Sequence, residues 1–205
     1  MSEPFDIYLA SASPRRRELL KQIGVRYRLL LVDVDETPIA LESPQDYVCR
    51  LALEKARAGW QQLEEPDKRP VLGADTAVVI NGQILGKPAD KDHAIEMLMS
   101  LSGHTHQVMS GLALVDENRQ KTRINTSLVT FRDLSKAECE AYWHTGEPVD
   151  KAGSYAIQGR AAMFISDLSG SYSGVMGLPL YETAELLQNV GVNLLKDNKK
   201  NSNGS

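Results

Sequence analysis

Val71-Leu72-Gly73-Ala74-Asp75-Thr76-Ala77-Val78-Val79-Ile80-Asn81-Gly82 is the stretch whose reading decides the fold. A strand with one wet face alternates apolar and polar residues, whereas this run is apolar on both sides and therefore reads as a central strand covered on both faces. Asp75 and Thr76 interrupt it. A buried carboxylate is costly unless it is paired, so Asp75 requires either a lysine or a metal ion beside it. Asn81-Gly82 is a strong hairpin signal, and it returns the chain over Gln83 to Gly86 and on to Lys87-Pro88.

Upstream, Leu9-Ala10-Ser11-Ala12-Ser13-Pro14-Arg15-Arg16-Arg17-Glu18-Leu19-Leu20 runs from a short apolar strand into a helix. Ser13 suits the N-cap and Pro14 the first helical position, where a missing N–H costs nothing. The free N–H groups and positive dipole end then lie beside Ser11, Ser13 and the guanidinium groups, an arrangement that favours phosphate. The same pattern also fits an ordinary capped helix with a solvated arginine face, so the remaining residues must decide. After Gly24 a strand is predicted from Arg26 to Val34, buried at Leu29-Leu30-Leu31-Val32, leading into Asp35-Glu36. Ser43-Pro44 repeats the cap and opens an amphipathic helix through Val48, Leu51, Ala52, Ala56 and Trp60 to about Glu65, with Lys55 inside it.

Downstream, Asp90 caps a helix that ends at Gly103. Val108 to Val115 and Ile124 to Phe131 read as an antiparallel pair across Asp116 to Gln120. Ser135 with Glu138 forms a capping box for a helix to about Thr145. A glycine-bounded segment around Ile157-Gln158-Gly159, a strand near Met163 to Ile165 and a helix after Pro179 follow. This mixture of α/β alternation, hairpin and meander predicts a mixed twisted sheet flanked by helices, with two lobes and a central cleft. One domain is expected over residues 1–195, and residues 196–205, with nothing to bury, are expected to form a disordered tail.

With 42% hydrophobic and 24% charged residues, the chain has the composition of a soluble globular protein. A formal charge of -4 argues against a broad nucleic-acid-binding surface and toward a small ligand. Cys49 and Cys139 lie in helical patterns far apart in sequence, which suggests reduced thiols and a cytoplasmic setting. Neither a signal peptide nor a membrane span is expected.

Familiar motifs can be set aside. Gly82-Gln83-Ile84-Leu85-Gly86-Lys87-Pro88 differs from a P-loop, because its glycines are one residue too close and proline replaces the hydroxyl residue. His93, His104, His106 and His144 lack zinc spacing, and His104 and His106 read as loop or strand-edge residues. What remains is a set of charges at element ends: Arg15, Glu36, Lys55, Asp75 and Lys87. Two carboxylates with several cations can hold a hard divalent ion, orient water and neutralise phosphate oxygens.

Those stretches, together with Glu54-Lys55-Ala56, Gly73-Ala74-Asp75-Thr76, Gly86-Lys87-Pro88, Leu101-Ser102-Gly103, Lys151-Ala152-Gly153-Ser154-Tyr155, Ile157-Gln158-Gly159 and Gly177-Leu178-Pro179, resemble the Maf family of nucleotide pyrophosphatases from about residue 7 to 190. The resemblance is to the branch that hydrolyses dTTP and UTP to the monophosphate and pyrophosphate. It implies an ITPase-like α/β fold, a nucleoside triphosphate substrate, a divalent cation (Mg²⁺ or Mn²⁺) and a homodimer. It also implies Asp75 as proton acceptor, Arg15, Thr76 and Gln158 as base-selecting residues, and Glu36, Lys55 and Lys87 at the phosphate and metal end. The branch that prefers 7-methylguanine nucleotides carries tryptophan, glutamine and glutamate in place of Arg15, Thr76 and Gln158. A glutamine amide offers one acceptor and two donors, which match the imide of uracil or thymine. The rival readings are a nucleotide-binding regulator of septum formation without turnover, and a monophosphatase.

Overall fold

The computed structural model describes residues 4–66 and 68–195. In chain order the elements are β1 (Ile7–Ala10), α1 (Pro14–Gln22), β2 (Tyr27–Leu29), α2 (Pro44–Gln61), β3 (Val71–Ile80), β4 (Gln83–Leu85), α3 (Lys91–Leu101), β5 (Thr105–Val115), β6 (Gln120–Phe131), α4 (Lys136–Trp143), β7 (Ile165–Ser169), α5 (Tyr172–Val175) and α6 (Leu180–Gln188). Short 3₁₀ turns occupy Ala152–Ser154 and Arg160–Phe164.

The strands form one seven-stranded sheet in the order β2-β1-β3-β5-β6-β7, with β4 also on β3. β1 runs parallel to β2 and β3, and the β3–β4, β3–β5, β5–β6 and β6–β7 pairs are antiparallel. The sheet is therefore mixed, as the hairpin and meander signals require. At Asn81-Gly82 both residues take positive φ, 51° and 78°, which suits the two-residue turn.

β3 explains how the halves meet. Leu72 and Ala74 pack with Leu9, Leu20, Leu112 and Leu186 on the face covered by α1 and α6, while Val71 packs with Ala10, Ala52, Ala56 and Ala113 under α2. Further along, Val78 and Ile80 belong to a separate cluster with Leu98, Val129, Phe131 and Phe164, beneath α3 and α4. Each fully buried leucine or phenylalanine contributes roughly 1.5–3 kcal/mol. Asp75 and Thr76 fall at the joint between these clusters, where neither apolar layer closes over them. α2 lies directly on the strand there: a Cβ on Gly73 would sit 2.2 Å from the Ala52 carbonyl oxygen, so only glycine permits the approach.

Several local expectations need correction. Ser13 stands at the N-cap of α1 with extended backbone, but its side chain makes no capping bond, and its own N–H is donated to Ser11 Oγ at 3.3 Å. β2 is only three residues long: it is an edge strand that ends at the exposed Leu29, and Leu31 beyond it is exposed as well. β5 and β6 begin earlier than expected. The outer half of β6 alternates exposed and half-buried residues, so its polar side chains mimic a loop. The last strand begins at Ile165 and not near Met163, since residues 160–164 form a 3₁₀ turn. α2 ends at Gln61, short of Glu65, and the short helix α5 stands between β7 and α6, where the sequence pattern shows no helix signal. His106 is no edge residue: it lies 1% exposed within β5 and bonds Tyr155 Oη through Nε2 at 2.8 Å. The expected tail, 196–205, lies outside the described residues.

Candidate active site

A cleft of about 580 Å³ opens along the C-terminal end of β1 and the middle of β3. That volume falls within the range of small-molecule sites. Every residue singled out from the sequence lines it. Ser11, Ser13 and Arg15 come from the junction of β1 and α1, and Glu36 from the loop after β2. Lys55 projects from α2, Asp75 and Thr76 from β3, Lys87 from the segment after β4, and Gln158 from the irregular stretch before Arg160.

The pairing required by Asp75 is supplied by Lys55. Its Nζ donates to Asp75 Oδ1 at 2.7 Å and lies 2.6 Å from Glu36 Oε1, so one ammonium draws both carboxylates to the same point. The Lys55 and Asp75 side chains are each 12% exposed and Glu36 is 52% exposed, which makes this pair of contacts a wall of the cleft. Burial works against ionisation of Glu36, but Lys55, Lys87 and Arg16 outweigh it and hold the carboxyl below its usual range. Tyr47 donates its hydroxyl to the Glu36 carbonyl oxygen at 3.0 Å; burial and the charges of Asp75 and Glu36 push its pKa up to about 12.

Arg16 is the residue whose importance the sequence understated. Its Nε donates to Gly177 O at 2.8 Å, Nη1 to Ser11 Oγ at 3.0 Å and Nη2 to Thr76 Oγ1 at 3.2 Å. It thus ties the helix start, β3 and the chain before α6 together. Burial lowers its pKa, opposed by Asp75 and Glu36. Arg15 lines the cleft without a side-chain hydrogen bond among the described residues, and burial lowers its pKa against the pull of Asp150 and Glu18. Arg16 spends its guanidinium on the walls of the cleft, whereas no such bond holds Arg15 among the described residues.

Thr76 is polarised by its neighbours. Ser110, its register partner on β5, donates its single proton to Gly174 O at 2.7 Å, since a carbonyl can only accept. In the 2.8 Å contact between the two hydroxyls Ser110 is therefore the acceptor and Thr76 the donor. Arg16 already donates to Thr76 Oγ1, so the hydroxyl has only a lone pair left for the cleft.

Two carboxylates converging on one point fit the donor set of a hard divalent cation, because Mg²⁺ commonly uses one or two carboxylates and completes its shell with water and substrate phosphates. Among the described residues no group of three or more His, Cys, Asp or Glu side chains forms a closed metal cage. No helix among them is long and apolar enough to cross a membrane.

The sheet, the phosphate-type helix start and the mixed charges of this cleft define an α/β protein suited to a phosphorylated ligand. Residues 6–190 match the family model described as Maf-like protein, and the chain belongs to the Maf family. A relative from Alkalilimnicola ehrlichii, named dTTP/UTP pyrophosphatase, is 60% identical over 88% of this chain and 91% of its own. One from Nitrosomonas europaea, with the same name, is 52% identical over 92% of this chain and 96% of its own. Among solved structures, the Ham1 protein of Staphylococcus aureus aligns at TM-score 0.45 and 17% identity over 62% of this chain and 72% of that one.

Proposed function

We propose that this chain hydrolyses dTTP and UTP to the monophosphate and pyrophosphate. The observation that carries the reading is the convergence of Asp75 and Glu36 on Lys55 in a nucleotide-sized cleft. The names of its relatives support the substrate.

Water attacks the α-phosphorus, the bond to the oxygen bridging the β-phosphorus breaks, and pyrophosphate leaves. Asp75 accepts the proton lost by the water; its Oδ1 is held by Lys55, which leaves Oδ2 for this contact. Lys55 and Lys87 lie beside the negative charge that grows on the phosphate chain. Ser11, Ser13 and the start of α1 receive phosphate oxygens, where backbone donors and dipole favour anions. Glu36 and Asp75 would hold Mg²⁺ or Mn²⁺, which supplies Lewis-acid charge stabilisation when bound.

Base choice follows from polarity. Thr76 presents a lone pair and Gln158 an amide, and together they match the imide N–H and carbonyl groups of uracil or thymine. Cytosine, with an acceptor at N3, leaves the Thr76 lone pair unpaired. Arg15 completes this end. The family resemblance supports a homodimer, and the free thiols of Cys49 and Cys139 support a cytoplasmic setting.

A pyrophosphate-release assay with dTTP, UTP, CTP and 7-methyl-GTP tests the reading. Pyrophosphate from dTTP and UTP in preference to the others is expected. Free phosphate would identify a monophosphatase, and nucleotide binding without turnover would identify a regulator.

A further inference from the structure

Gln158 stands at the third position of a four-residue turn, Ala156–Gly159, closed by Gly159 N donating to Ala156 O at 3.0 Å. The side chain is exposed on the rim of the cleft, so the aim of its amide depends on how the ends of the turn are held. Both ends lead to the same pair of side chains. Before the tip, Ala156 N donates to Tyr142 Oη at 3.3 Å. After it, Arg160 N donates to Glu147 Oε2 at 2.9 Å and Ala161 N to Glu147 Oε1 at 3.3 Å. Tyr142 Oη closes the loop by donating to Glu147 Oε1 at 2.6 Å. The carboxylate is seated so tightly that a Cβ on Gly159 would lie 2.3 Å from Oε1.

We infer that Glu147 is a positioning residue for base recognition: through Tyr142 and the main chain on either side of Gln158 it aims that amide into the cleft. Neither Glu147 nor Tyr142 lines the cleft. The inference rests on the reading of Gln158 as a base-contacting residue.

The requirement for a carboxylate is chemical. Tyr142 O–H, Arg160 N–H and Ala161 N–H are three donors meeting one group, and an ionised carboxylate is acceptor-only on both oxygens. A glutamine there would turn an NH₂ toward one of those donors and leave it unpaired. Burial opposes ionisation of Glu147, but the three hydrogen bonds outweigh it and hold the group below the usual carboxylate range. Tyr142 is 2% exposed and packs against Phe164, so the base of the strap is anchored in the core.

The experiment compares parent, Glu147→Gln, Gln158→Ala and the double variant, with kcat and KM measured for UTP and CTP. Glu147→Gln is expected to raise KM for UTP about tenfold while kcat stays within about twofold, because the lost contact is to the base and not to the reacting phosphorus. Its preference for UTP over CTP falls, and the double variant is no worse than Gln158→Ala alone. Equal losses with UTP and CTP, or a double variant whose loss is the product of the single ones, would overturn the inference. If Gln158→Ala leaves the preference intact, the base-contact reading itself fails, and the role of Glu147 with it. Should Glu147→Gln not fold, Tyr142→Phe removes the hydroxyl that joins the carboxylate to Ala156 N and carries the same expectation.

Discussion

The two ends of the cleft are built in different ways. Asp75 and Lys55 are set by regular elements: α2 presses on β3 at Gly73, and the lysine reaches the carboxylate because backbone lies against backbone, while Glu36 joins them from the loop after β2. The end holding Gln158 is irregular chain, fastened by side chains that bond to main-chain groups. Packing a helix on a strand gives a position that resists small perturbation, since moving one side chain means moving a layer of the core. A strap of hydrogen bonds can be altered one bond at a time. On the proposed roles, the proton acceptor Asp75 sits where the fold is stiff, and the base contact of Gln158 sits where single substitutions can retune it.

The largest effect should come at the stiff end. Asp75→Asn keeps the size of the side chain and removes the proton acceptor, so kcat for dTTP should fall ~10²–10⁴-fold with KM little changed. Turnover at the parental rate would remove Asp75 from the chemistry.

A smaller effect separates the ends by pH. Burial pushes the His106 pKa down to about 4 from an ordinary 6.5, and its Nε2 contact to Tyr155 helps carry the chain leading to Gln158. The unfolded chain takes up a proton below about 6.5 that the folded chain refuses until about 4, so the stability held by neutral His106 is complete above 6.5 and is lost as pH falls toward 4. Between pH 7 and pH 5 this amounts to about 2 kcal/mol. Thermal unfolding should show that loss in the parent and a flatter profile in His106→Gln. Identical profiles would show that His106 is not the titrating group.

The smallest effect tests polarity alone. Ser110→Ala frees the Thr76 proton, which can then turn toward the base and meet the N3 acceptor of cytosine. Preference for UTP over CTP should narrow by roughly three- to tenfold, with kcat for UTP nearly unchanged. An unaltered ratio would show that the hydroxyl does not meet the base.

Legibility in the sequence follows the same division. The apolar run 71–80, its polar break and the Asn81-Gly82 turn were readable because strand burial and turn chemistry are local. The N-caps at Ser43, Asp90 and Ser135 were readable for the same reason. Asp75 announced its need for a partner, and Lys55 on an amphipathic helix was one of the residues that could meet it. The specific partners of Arg16, Ser110 and Glu147 were not legible, because each side chain bonds a main-chain group that no local pattern singles out: Arg16 to Gly177, Ser110 to Gly174 and Glu147 to Arg160. His106 looked peripheral because its strand continues past the apolar pattern, and only the aromatic cluster of Phe131 and Tyr155 reveals it as interior.

The most direct test of the central claim is hydrolysis of dTTP in ¹⁸O-labelled water, with the products separated and weighed by mass spectrometry. Attack at the α-phosphorus places one ¹⁸O in dTMP and leaves the pyrophosphate unlabelled, which is the result expected here. Label in the pyrophosphate, or a labelled free phosphate, would contradict it.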